Sequence, residues 1–241
     1  GRFGEDGYVQ SILEILNVKY THSGVISSMS AMDKEISKKI FKKNNILTPR
    51  YLKIKNNYKN VDYKKIKNFI NYPLVVKPIN EGSSLDVYIC NNKFSLKTKL
   101  KKMANYKEIL VEKFIPGREI QVAIMGNKKL GAIELKPKRK FYDYKAKYNS
   151  NAKTQHIIPV NLSKKNYEIV NKIALKAHKL LNCRGITRSD FKFYKNKFYL
   201  LELNTQPGMT SLSLVPEIAA YKGINFIKLI EWILKDAYTK K

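Results

Sequence analysis

The sequence predicts a mixed fold, α/β or α+β, on three observations. Helical and strand periods alternate along the whole chain, the centre is dense in short β-prone runs, and 44% hydrophobic content over 241 residues is enough for a substantial core. Val9, Ile12, Leu13 and Leu16 recur at helical spacing behind Asp6 as the expected cap, and Val18 to Thr21 reads as a short strand. Met29, Met32, Ile36 and Ile40 mark one further helix that fades at Lys43 to Asn45, with lysines on its outer face. Pro49 then opens the strand-like run Tyr51 to Ile54. Leu74 to Lys77 and Val87 to Cys90 are two strands joined through the small-residue turn Glu81-Gly82-Ser83-Ser84.

Ile109 to Ile115, Ile120 to Met125 and Leu130 to Leu135 are strands, separated by Pro116-Gly117 and by Gly126 to Lys129. From Pro137 to Thr154 no period survives, and an unpatterned stretch of that length in a compact domain reads as an active-site loop. Val170, Ile173, Ala174, Ala177 and Leu181 form an amphipathic helix capped by Ser163, and Phe226, Ile230, Ile233, Leu234 and Ala237 form another. Between them Gly185 to Leu203 reads as a hairpin, turning through Lys195-Asn196-Lys197 with Asn196 left-handed and Tyr194 joined to Phe198.

A formal net charge of +28 raises nucleic acid or an anionic membrane as a partner. The cations are nevertheless spread out, and six arginines leave 41 of the 47 basic residues as lysine. A reader of bases favours the bidentate arginine fork, so a solvated lysine surface is the expectation, with neither nucleic acid nor membrane as partner. No apolar run approaches the roughly 20 residues that span a bilayer. Cys90 and Cys183 lack CxxC spacing, and His22, His156 and His178 are scattered, so neither a zinc site nor a disulfide framework is expected and a reducing cytosol is. Because Gly1 falls in a glycine-rich run and is not Met, the chain reads as a fragment with sequence missing upstream.

Strand alternation puts Arg188 and Asp190 on one face of the first hairpin strand, and Glu202 and Asn204 on one face of the second. An even register offset sets Asp190 opposite Glu202 and Arg188 opposite Asn204; a slip of one residue would separate them. Asp, Glu and Asn are hard oxygen donors suited to Mg²⁺, while an ordinary ion pair of Glu202 with Arg188 or a lysine is the plainer alternative. The small-residue loop Thr205 to Ser211 follows, and its amides could face an anion.

Several blocks, in this order, resemble the D-alanine:D-alanine ligases: Gly4-Glu-Asp-Gly7, Met32-Asp-Lys34, Val76-Lys-Pro78, Glu81-Gly-Ser-Ser84, Phe141 to Tyr148 and Leu201 to Ser213. The resemblance implies an α+β, ATP-grasp fold in which two subdomains, 24–112 and 113–241, grip ATP, preceded in 1–23 by the remnant of a doubly wound domain. It implies a cytoplasmic enzyme that makes D-alanyl-D-alanine for peptidoglycan, and so for cell-wall biogenesis and cell shape. One D-alanine carboxylate is phosphorylated by ATP and the amine of the second attacks the acyl phosphate. The D-alanine:D-lactate ligases and other ATP-grasp ligases are related alternatives, as is a non-catalytic remnant.

By the same resemblance Lys34, Lys77 and Lys147 contact ATP phosphates, Glu112, Lys113 and Ile115 hold adenine, and Glu119 holds ribose. Asp190, Glu202 and Asn204 match the ligands of Mg²⁺ (two ions, with Mn²⁺ as a substitute). Arg188 and the Gly208 amide match groups that stabilise the tetrahedral intermediate, Ser213 binds the second D-alanine's carboxylate, and Ser83 with Tyr148 closes the loop. Tyr148 favours D-alanine over D-lactate. The family also implies a homodimer for the full-length protein, and a chain without the first domain is expected to bind Mg·ATP better than it ligates. Asp86 departs from the glycine of many members; it is expected to point outward, with a cost to loop mobility.

Overall fold

The computed structural model describes residues 1–55, 60–82, 85–136, 154–210 and 213–239. Three helices open the chain: α1 (Tyr8–Ile15), α2 (Val25–Met32) and α3 (Lys34–Lys43). Four antiparallel strands, β1 (Tyr51–Lys55), β2 (Leu74–Pro78), β3 (Tyr88–Cys90) and β4 (Glu108–Lys113), form a sheet in the order β1-β4-β2-β3. Its core is closed by α4 (Tyr63–Ile70) and α5 (Lys93–Lys102), through Ile66, Ile70, Leu96 and Leu100 against Leu74, Val76, Ile109 and Val111. A second antiparallel sheet, order β7-β6-β5-β8-β9, comprises β5 (Arg118–Met125), β6 (Lys128–Lys136), β7 (Gln155–Ile157), β8 (Ile186–Tyr194) and β9 (Lys197–Asn204). One face of it packs on α6 (Lys164–Leu180), and the other, in part, on α7 (Leu214–Tyr221) and α8 (Phe226–Lys235). Separate antiparallel sheets with their own helices make the class α+β.

The expected strands of both sheets are present, and Ser163 caps α6 by accepting from the Asn166 N–H. Helices α4 and α5 were not foreseen: both are lysine-rich, and only Asp62 and the Asn92–Ser95 capping box mark their starts. Val18 to Thr21 is not a strand; Tyr20 makes a single bridge to Tyr238. The cap of α1 is Gly7, which needs its positive φ of 90° because the chain enters the helix left-handed, with Asp6 one residue earlier accepting from Tyr8 N–H. The apolar stripe of α1 (Val9, Ile12, Leu16) is exposed, and Gln10 is its buried residue.

The single helix expected over Met29 to Ile40 is two. Asp33 interrupts it, its Oδ1 accepting from the Glu35 and Ile36 N–H groups, so a capping residue overrides the apolar period. The face is also inverted: Met29 and Ile36 are exposed, whereas Lys34, Ser37, Lys38 and Phe41 are buried. The lysines go inward because carboxylates await them. Both helices pack on the second sheet, Ala31, Phe41 and Ile46 joining the core of Val122, Phe191 and Leu203.

The β8–β9 turn has two residues, Lys195 and Asn196, both left-handed, so that Tyr194 pairs with Lys197 and not with Phe198. Left there, the register would put Asp190 opposite Leu201. A β-bulge at Leu201 shifts it by one, giving Asp190↔Glu202 and Arg188↔Asn204. Leu201 and Glu202 consequently line the same cleft, while Leu200 and Leu203 share the core.

In the connection from β2 to β3, Asp86 adopts φ 51°, the region where glycine is at home. Its carboxylate accepts from the Tyr88 and Tyr106 hydroxyls, at 2.6 and 2.7 Å. Asp86 lines neither cleft, and the two hydroxyls hold its carboxylate beside β3 and Tyr106.

Two pH dependences follow. Burial pushes His178, bonded to Thr187, down to about 4, and burial with the nearby Arg184 does the same to His22. A depressed base contributes stability that is complete above its unfolded value near 6.5 and is lost as pH falls towards 4. Urea unfolding from pH 7 to 4 should show a loss of up to about 1.4 kcal/mol per pH unit per histidine; a flat profile would refute this. At the alkaline end the Asp86 hydrogen bond and then burial raise Tyr88 to about 12, and burial and then the same carboxylate raise Tyr106 equally. Their contribution is complete below pH 10 and disappears as pH rises through 12. Ultraviolet titration should find Tyr88 and Tyr106 ionising late, and Asp86→Ala should lower both, Tyr88 more than Tyr106, whose largest cause is burial.

Candidate active site

The site is built by alternation along three neighbouring strands. On β5, Ile120 and Val122 face the core, so Glu119 and Gln121 face the other way; on β8, Phe191 faces the core, so Arg188, Asp190 and Lys192 do not. Register sets Gln121 opposite Asp190 and Glu119 opposite Lys192. The bulge then brings Glu202 and Asn204 of β9 onto the same surface. Arg188 donates through Nε and Nη2 to the two oxygens of Asp190, at 2.8 and 3.1 Å, and through Nε to Gln121 Oε1 at 3.1 Å. Lys192 Nζ is 2.6 Å from Glu119 Oε1. Of the alternatives for Glu202, its partner at ion-pair range is Lys34, whose Nζ lies 3.8 Å from Oε2.

This surface looks into a cleft that the first sheet closes from the other side. Lys34, Val75, Lys77, Glu81, Leu85, Glu112, Lys113 and Ile115 line it together with Glu119, Gln121, Asp190, Leu201 and Glu202. Lys34 Nζ donates to the Glu81 carbonyl at 2.5 Å, pinning the turn after β2 to α3. Burial lowers the pKa of Lys34, an effect Glu202 opposes. The deepest feature is Glu112, whose Oε1 is 2.6 Å from Lys77 Nζ and whose Oε2 is 3.0 Å from Lys38 Nζ. Burial alone would raise the Glu112 pKa, but Lys38 and Lys77 reverse that and hold the carboxyl ionised. The Glu112 side chain is thus a counter-ion shared by two ammonium groups. Lys113 turns its Nζ to the Tyr72 carbonyl at 2.9 Å.

A second cleft adjoins the first and shares Lys34, Glu81, Gln121 and Glu202 with it. Arg188, Asn204, Gly208, Thr210 and Ser213 complete its far wall. Ser213 Oγ accepts from the Thr210 N–H and pairs with Thr210 Oγ1, both at 2.9 Å, which folds the loop back on itself. A Cβ on Gly208 would stand 2.8 Å from that Oγ, so glycine is what lets the backbone pass so close.

Sequence reading therefore placed Lys34, Lys77, Glu112, Lys113, Ile115, Glu119, Arg188, Asp190, Glu202, Asn204, Gly208 and Ser213 in a region that the fold does bring together. Ser83, Lys147, Tyr148 and the expected active-site loop up to residue 153 lie outside the described residues. It missed Gln121 and Lys192, which continue the polar alternation of Glu119 and of Arg188 and Asp190. It also missed Lys38, four residues after Lys34 and so on the same helix face. No cluster of three or more His, Cys, Asp or Glu occurs among the described residues. Two facing carboxylates with the Asn204 amide, whose Oδ1 accepts from the Gln206 N–H, still suit Mg²⁺, which commonly uses one or two carboxylates and takes its other oxygens from phosphate and water.

The family model described as "D-ala D-ala ligase C-terminus" matches residues 40–235. The D-alanine–D-alanine ligase of Pelagibacter ubique is 67% identical over 239 residues, covering 98% of this chain and 78% of the relative. That of Wolbachia pipientis wMel is 44% identical over 245 residues, covering all of this chain and 76% of its own length. The crystal structure of the Bacillus anthracis ligase complexed with ATP superposes with a TM-score of 0.86 at 33% identity, over 98% of this chain and 76% of that one. Two antiparallel sheets facing each other across a lysine-lined cleft, and a family match over most of the same residues, have one explanation: the chain belongs to the D-alanine–D-alanine ligase family and has its ATP-grasp fold.

Proposed function

We propose that this chain joins two D-alanines into D-alanyl-D-alanine for peptidoglycan synthesis at the expense of ATP. The observation that carries the reading is that Asp190 and Glu202 stand opposite one another on the face of β8–β9 that looks into the cleft of Lys34 and Lys77. Carboxylates and buried ammonium groups converging on one space suit a metal-bound polyphosphate. The subdomains that go with this reading are 24–112 and 113–241 after the segment 1–23, with α2 and α3 as the parts of the first that rest on the sheet of the second.

Lys34 and Lys77 offer compact charges to the phosphates, with Lys147 as a third. Glu112, Lys113 and Ile115 border the adenine and Glu119 the ribose. Asp190, Glu202 and Asn204 would hold Mg²⁺, two ions in the family pattern, which when bound neutralises phosphate charge. The first D-alanine carboxylate displaces ADP from the γ-phosphate, and the second amine then attacks the acyl carbon and expels inorganic phosphate. Arg188 and the Gly208 amide face the second cleft, where fixed donors stabilise oxyanion charge as it develops. Ser213, in the same wall, receives the second substrate's carboxylate, while Ser83 and Tyr148 close over both.

With ATP, Mg²⁺ and D-alanine the full-length enzyme should release phosphate, and D-lactate should not be its preferred acceptor at neutral pH, while residues 1–241 alone should bind Mg·ATP better than they ligate. Lys77→Ala and Glu202→Gln should each weaken Mg·ATP binding about tenfold or more in calorimetry, roughly 1.4 kcal/mol. Unchanged affinity in both variants would remove the nucleotide from this cleft.

A further inference from the structure

We propose that Lys38 is a positioning residue for the nucleotide site: by neutralising Glu112 it leaves the Lys77 ammonium free to turn to an incoming phosphate. This rests on the reading above that the cleft takes a nucleotide. Lys38 is completely buried and does not line the cleft; it sits behind Glu112, whereas Lys77 and Glu112 both face the opening. The two lysines divide one carboxylate between them, Lys77 on Oε1 and Lys38 on Oε2. Besides Glu112, Lys38 Nζ has near it the face of Tyr51, 5.8 Å from the ring centroid. Its stem belongs to α3, which is anchored in the core of the other sheet through Phe41, so the ammonium reaches Glu112 from a different sheet than the one that carries it.

Charge counting explains why a second lysine is needed. If Glu112 faced Lys77 alone, the pair would be self-satisfied, and moving Lys77 to a phosphate would strand a buried carboxylate, a strongly unfavourable state. With Lys38 at ion-pair distance from Oε2, Glu112 keeps a cationic partner whichever way Lys77 points. Lys38 thereby acts on the phosphate through Glu112 and Lys77 without touching it.

The test is calorimetry with Mg·ATP and steady-state phosphate release on the chain carrying Lys38→Gln or Lys38→Arg. Lys38→Gln, neutral but still a donor, should raise the ATP Kd and KM at least about tenfold with kcat changed less than about threefold, and Lys38→Arg should stay within about threefold of the parent. In a Glu112→Gln background, adding Lys38→Met should change ATP affinity less than about threefold, because the charge it serves is gone. That comparison also decides the matter if Lys38→Gln does not fold. A Lys38→Gln chain binding ATP within about twofold of the parent, or a further tenfold loss on adding Lys38→Met to Glu112→Gln, overturns the role while leaving the nucleotide site in place. A parent chain that fails to bind ATP overturns both.

Discussion

The arrangement depends on a carboxylate held between two ammonium groups. Glu112 belongs to the four-stranded sheet, while Lys38 reaches it from a helix seated on the five-stranded one. Lys34, one turn earlier, adds a bond to the Glu81 carbonyl and an ion-pair contact with Glu202. Helix α3 therefore touches both walls of the cleft, by apolar packing on one side and by charge on the other. Buried ion pairs contribute little net stability once desolvation is counted. What such contacts supply here is geometry: they tie the turn after β2 to α3 and to the sheet that carries Asp190 and Glu202.

The bulge at Leu201 is the counterpart of that constraint within the second sheet. With a two-residue turn and unbroken pairing, strict alternation from Leu200 would keep Leu201 on the cleft side and send Glu202 into the core beside Phe191 and Phe198. One extra residue keeps Leu200 and Leu203 in the core and lets Glu202 and Asn204 face the cleft. The turn expected from the sequence reached the same pairing by a different route, since three loop residues shift the register by as much as two residues and a bulge.

What was legible in the sequence was whatever a single period determines. Period-two alternation found Arg188, Asp190, Glu202 and Asn204, and the 3.6-residue period found α6 and α8. Where two signals competed, the apolar period misled: Asp33 split a helix that Met29 to Ile40 seemed to continue, and Lys38 was assigned to solvent because nothing local announces a partner 74 positions further along, at Glu112. Helices α4 and α5 escaped notice because lysine dominates their surfaces and their buried residues are few. The family motifs located cleft residues, but not that the Glu112 side chain is engaged by two lysines.

The net charge of +28 can be divided in the same terms. Most of the lysines project into water, where counter-ions screen them beyond roughly 8 Å at physiological ionic strength. Lys34, Lys38 and Lys77 are buried, and low-dielectric surroundings make their fields far stronger at short range. Burial also lowers the pKa of Lys34, and of Lys38 to about 8, so only carboxylates placed beside them keep them charged. The surface lysines set the chain's overall electrostatic character, but the field inside the cleft is that of buried lysines and the carboxylates beside them.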